Sequence, residues 1–216
     1  MARPTSRTHF VLCVLVAIEL AACRTGGSEP PVIQPGAPGQ DSRVVSAPDV
    51  ARQQAPAHTA ADVRFMQGMI HHHAQALDMV ELLRTRTRSE DMKKLAHRIE
   101  LSQRDEIQMM REWLAARGAD VPGEHAHHAP GAPMMPGMLS PAEMDRLAAA
   151  KGIEFDRLFL EYMIKHHAGA LVMVKELFST PGAGQEAEIF AFASDVDADQ
   201  LIEIRRMDGM LKELQR

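Results

Sequence analysis

The chain carries one design twice. Residues 62–80 and 156–174 align at an offset of 94, with eleven of nineteen positions identical. The shared residues are Asp62/Asp156, Phe65/Phe159, Met69/Met163, Ile70/Ile164, His72/His166, His73/His167, Ala74/Ala168, Ala76/Ala170, Leu77/Leu171, Met79/Met173 and Val80/Val174. Ordinary residue frequencies would give roughly one or two matches. Downstream, Gln103, Glu106, Ile107 and Met110 correspond to Gln200, Glu203, Ile204 and Met207 at an offset of 97. The difference of three residues falls in the connecting turns, where insertions are tolerated. Two copies of one helical hairpin predict an all-α, four-helix bundle with approximate two-fold symmetry.

Local signals place the helices. Thr59 caps the first, and Phe65, Met66, Met69, Ile70, His73, Ala76, Leu77 and Val80 recur along one face at three- and four-residue spacing. Ser89 opens the second, whose inward stripe is Met92, Leu95, Ala96, Ile99, Ile107, Met110, Trp113 and Leu114, with Gly118 ending it. Ser140-Pro141-Ala142-Glu143 is a capping box with proline at the first helical position, which predicts a short extra helix. Long helices follow from Ile153 to Phe178 and from about Gln185 onward.

The N-terminal segment reads differently. Arg3 and Arg7, an apolar run from Phe10 to Leu20, and Leu20-Ala21-Ala22-Cys23 have the form of a bacterial lipoprotein signal over residues 1–22. Cys23 would then be the lipidated first residue of the mature chain. A plain signal peptide with an incidental Cys23 is the alternative. Residues 23–58, rich in proline and glycine, read as a disordered tether, and residues 59–216 as the bundle. The expected location is the cell envelope, facing the periplasm, with a membrane contact through the lipid.

Charge and composition narrow the partners. A net charge of −5 and 4% aromatic residues argue against a nucleic-acid partner. Fifteen methionines and eleven histidines stand beside two cysteines, both lost to chemistry at the signal. In an oxidising compartment a soft-metal protein is better served by thioethers than by thiols.

The repeated helix faces carry that chemistry. Met69, His72, His73 and Met79, with Met163, His166, His167 and Met173, form two matching sets of imidazole and thioether donors. Such donors suit Cu(I) best, with Cu(II) or Ag(I) as alternatives. Adjacent histidines diverge by ~100° around a helix, so one ring can ligate while the other hydrogen-bonds a neighbouring helix. Gln103, Glu106, Gln200 and Glu203 lie on inward stripes and can orient the imidazoles. The loop at 118–139 adds His125, His127, His128, Met134, Met135 and Met138, either for auxiliary metal capture or as a solvated linker of biased composition. Methionine at helical spacing is also ordinary core filler, and the His pairs bonded to Glu106 and Glu203 could serve only to knit the bundle.

The stretches Phe65–Met79 and Phe159–Met173, with His-His-x-x-Ala-x-x-Met in each, resemble the signature of the domain of unknown function 305 family, present twice over residues 59–216. The resemblance implies a ferritin-like helical bundle, usually exported, and some members of that family are implicated in periplasmic copper binding and resistance. Di-iron chemistry is disfavoured, because Glu-x-x-His is absent from the helices. No nucleophile-and-base set stands out either, so the reading leans toward a metal binder over an enzyme and leaves catalysis open. The competing reading is a structural or interaction module of the envelope. A homodimer formed by exchanged hairpins, or an envelope protein partner, stays open.

Overall fold

The computed structural model describes residues 32–34, 42–52, 55–123 and 134–215. The signal segment, Cys23, His125, His127 and His128 lie outside them. The chain divides into two units, one through Gln54 and one from Ala55.

In the first unit, β1 (Val32–Gln34) pairs antiparallel with β2 (Arg43–Val45), Ile33 opposite Val44. A six-residue helix, α1 (Ala47–Arg52), follows, with Ser46 accepting from the Asp49 amide. The stretch expected to be a structureless tether therefore carries short elements in its described residues. Its paired β-branched residues and its Ser-x-x-Asp start supply the local reason.

The second unit is the predicted bundle. It contains α2 (Ala60–Arg86), α3 (Glu90–Ala116), the short α4 (Pro141–Ala149), α5 (Ile153–Ser179) and α6 (Ala187–Leu214). Thr59 and Ser140 each close a capping box, with Asp62 and Glu143 respectively. Hairpins α2/α3 and α5/α6 pack through α2 against α5. No helix among the described residues is long and apolar enough to cross a membrane.

The interior has two apolar cores. One joins Phe65, Met66 and Met69 of α2 to Met173, Val174 and Leu177 of α5, which sets α2 and α5 antiparallel. The other joins Val80 and Leu83 to Phe155, Phe159 and Met163. The histidine pairs lie between them in sequence on both helices. Leu77 and Ile107, expected in the core, are half-buried; Ile107 packs against the first core, and both line a groove between α2 and α3 with Ile70 and Ala74.

The first hairpin is latched to the turn of the second. Asp62 is fully buried and accepts from the Gly184 amide at 2.7 Å, in the α5–α6 turn. Its repeat partner Asp156 is also buried, beside Thr87 of the α2–α3 turn, and its Oδ1 atom has no hydrogen-bond partner. Burial pushes the Asp156 carboxyl up, and the neighbouring Thr87 side chain opposes that rise.

A strap of residues 134–140 crosses the α2–α5 seam. Gln75 holds Leu139 by both its groups, Nε2 donating to the carbonyl and Oε1 accepting from the amide. At the other edge a Cβ on Gly169 would stand 2.0 Å from the Pro136 oxygen, so only glycine lets the strap lie this close. Gly169→Ala should therefore destabilise the protein by about 1–3 kcal/mol through overpacking. Gly209→Ala, on an open face of α6 with nothing within 4 Å, should be neutral or stabilising by up to about 1 kcal/mol. Equilibrium urea unfolding of the two variants checks the contrast, and equal effects would contradict this docking of the strap.

Candidate metal centre

All four repeated histidines are buried: His72, His73 and His167 are 0% exposed and His166 is 1% exposed. The ~100° between neighbours does not force one ring outward, because α2 is flanked by α5 on one side and α3 on the other. His72 turns toward α5 and meets His166 with ring centroids 3.8 Å apart. His73 turns toward α3 and bonds Glu106. On the second hairpin His167 turns toward α6 and bonds Glu203 at 2.6 Å.

Hydrogen bonds order the ring nitrogens. His72 Nε2 meets the Pro136 carbonyl at 3.0 Å, and His73 and His167 place Nε2 on carboxylates. A carbonyl or carboxylate can only accept, so in the neutral ring each Nε2 holds the proton and Nδ1 carries the lone pair. The Nδ1 atoms of all four rings are buried without a partner, and His166 has neither nitrogen bonded.

The rings at the α2–α5 contact are held neutral. Burial, followed by the neighbouring His73, pulls His72 down to about 3 against the Pro136 hydrogen bond. Burial, followed by His72 and His167, holds His166 well below the ordinary histidine range. Burial and the charges of Glu106 and Glu203 push Asp199 up.

The methionines divide. Met69 and Met163 are fully buried one turn from the His pairs of their own helices. Met79 and Met173 lie seven residues beyond His72 and His166, roughly 10 Å along the helix axis. Met79 is enclosed in the second apolar core. Gln103 and Gln200 are buried as expected, yet the side-chain oxygen of each has no partner. Of the loop methionines, Met134 is exposed, Met135 is half-buried and Met138 is packed inside. Among the described residues no group of three or more His, Cys, Asp or Glu side chains stands in a metal-holding arrangement.

The strap's part in the site escaped the sequence reading. Its signal is where the repeat breaks: Gly68 faces Tyr162, and Gln75 faces Gly169, in the alignment of the halves. Those departures fall where the strap docks.

A family model described as domain of unknown function (DUF305) matches residues 62–211. The chain belongs to the DUF305 family. Similar solved structures include a putative secreted DUF305 protein from Streptomyces coelicolor, at 29% identity and TM-score 0.62, covering 72% of this chain and 94% of that one. A DUF305 fragment from Deinococcus radiodurans is 33% identical at TM-score 0.60, covering 73% and 99%. CopM in its Cu(I)-bound form is 29% identical at TM-score 0.55, covering 70% and 96%. CopM has also been solved with Ag, with Cu(II) and in an apo form. No curated protein matches the DUF305 chain described here.

The lowered His72 and His166 values give this DUF305 protein a pH signature. Between about pH 6.5 and 3 the unfolded chain takes up protons at these rings that the folded chain refuses. The metal-free protein should therefore lose stability as pH falls through that window. Denaturant midpoints at pH 7 and pH 4.5 should separate more for the wild type than for the His72→Leu, His166→Leu variant. Equal separation would contradict the neutral, buried pair.

Proposed function

We propose that this protein binds copper as Cu(I) in the cell envelope, for buffering, transfer or resistance. The observation that carries the reading is the set of four buried imidazoles whose Nδ1 atoms lack partners. A buried polar nitrogen without a hydrogen bond costs folding free energy, and a metal ion would satisfy it. Neutral rings bind metal without first shedding a proton, and the low values of His72 and His166 keep them ready.

The donor set fits a soft ion of low coordination number. His72 and His166 are the primary ligands in this reading, with Met69 and Met163 one helical turn away as thioether donors. Imidazole with thioether favours Cu(I) and Ag(I) over Mg or Ca. His73 and His167 are tied to Glu106 and Glu203, which would orient them as further ligands. The likeness to CopM, solved with Cu(I), Cu(II) and Ag, supports the same choice of metal.

Export and a lipid anchor at Cys23 belong to the proposal through Leu20-Ala21-Ala22-Cys23. They would set the bundle facing the periplasm. The His73–Glu106 and His167–Glu203 bonds favour a second reading, in which the histidines only join the helices of each hairpin.

Anaerobic Cu(I) titration of the full chain against a chromophoric chelator separates the two. The copper reading expects tight, saturable uptake and a raised melting temperature, with His72→Leu, His166→Leu weakening affinity by about 100-fold or more while the protein stays helical. Unchanged affinity in a folded double variant would sink it. In parallel, the Cys23→Ser chain should leave the membrane fraction, and its retention there would contradict the anchor.

A further inference from the structure

The four imidazoles are enclosed, so an ion reaching them needs an approach from the surface. We propose that Met135 and Met173, which both border the notch over Gly68, form a separate thioether site that receives Cu(I) or Ag(I) from solvent and hands it to His72 and His166. This rests on the reading of the His layer as the copper centre, and adds to it a site with its own ligands.

Three chain segments build the site. Gly68 of α2 has no side chain, and a Cβ placed there would stand 3.3 Å from Met135 Sδ and 3.4 Å from Met173 Cε. Met135 Sδ and the Met173 terminal methyl therefore both border the notch above one glycine. Met135 comes from the strap and is half-buried, while Met173 comes from α5 and is 8% exposed. The site thus runs from a half-buried residue on the strap to a nearly enclosed one on α5.

It also abuts the His layer. Gly68 lies one helical turn before His72, roughly 6 Å along α2. The residue after Met135 is Pro136, whose carbonyl accepts from His72 Nε2 at 3.0 Å. That bond leaves the His72 Nδ1 lone pair unoccupied while fixing the strap beside the ring.

The asymmetry of the chain speaks for a dedicated feature. Tyr162 occupies the position matching Gly68 in the second half, so the notch has no counterpart there. Gly169, which lets the strap lie down, is matched by Gln75, which ties it. Positions that depart from the repeat thus carry the notch and seat Met135 above it.

The chemistry is ligand exchange without a redox step. The ion enters as a monovalent cation, sulfur–metal bonds break as imidazole nitrogen–metal bonds form, and no electron is transferred. Thioethers have no proton to lose, so capture is independent of pH over the working range, and their softness excludes Mg and Ca.

The test measures loading and stoichiometry together on the full chain. Cu(I) is transferred from a chromophoric chelator in a stopped-flow experiment, and Ag(I) equivalents are counted by calorimetry. Met135→Leu, Met173→Leu, a nearly volume-conserving change, should load about tenfold more slowly, with final Cu(I) affinity unchanged and one Ag(I) equivalent lost. His72→Leu, His166→Leu should instead lose tight Cu(I) binding and keep the weaker Ag(I) equivalent. Wild-type rate and Ag(I) count in the leucine variant, with tight wild-type uptake, would overturn the thioether site and leave the His centre standing. A wild-type chain that takes up neither ion would overturn both.

Discussion

The contact between His72 and His166 at the crossing of α2 and α5 is the constraint around which the bundle is arranged. Two neutral imidazoles 3.8 Å apart, with His73 and His167 beside them, interrupt what would otherwise be one apolar core. A polar layer of this kind is stable only where its atoms have partners. Glu106 and Glu203 supply partners from the outer helices, and the Pro136 carbonyl supplies one from the strap. The remaining unpartnered nitrogens are the atoms that the proposed metal site would use.

Symmetry builds the histidine layer, and asymmetry distinguishes its two faces. The two hairpins contribute equivalent His pairs, equivalent Glu partners and a buried aspartate each, of which Asp62 latches the opposite turn. Across this symmetric frame the strap lies on one face only, held by Gln75 and admitted by Gly169. It partners His72 but not His166, so the two central rings are chemically distinct although their sequences match. His166, with both nitrogens unpartnered, is the ring that gains most from a bound ion.

Much of this was legible from residues alone. The repeat implied two hairpins, the capping boxes at Thr59 and Ser140 marked helix starts, and the inward Glu106 and Glu203 pointed at the facing histidines. What escaped was set by packing. The burial of both neighbouring histidines follows from α2 having partners on two sides, which periodicity along one helix does not report. Asp62 looked like a first-turn residue, yet its second oxygen grips Gly184, 122 residues away in sequence. Met79 shares the helix face of the His pair but lies too far along the axis to join it. Met135 and Met138 looked like equivalent members of one loop, and docking against Gly169 divides them into a half-buried residue and a core residue.

The central claim is that the buried imidazoles are the metal ligands. X-ray absorption at the copper edge of the anaerobically Cu(I)-loaded full chain addresses it most directly, because imidazole rings leave a multiple-scattering pattern that thioethers do not. The account predicts that pattern together with a sulfur contribution, and its loss in His72→Leu, His166→Leu. A spectrum of sulfur ligands alone, unchanged by those substitutions, would contradict it and leave the histidine layer as architecture.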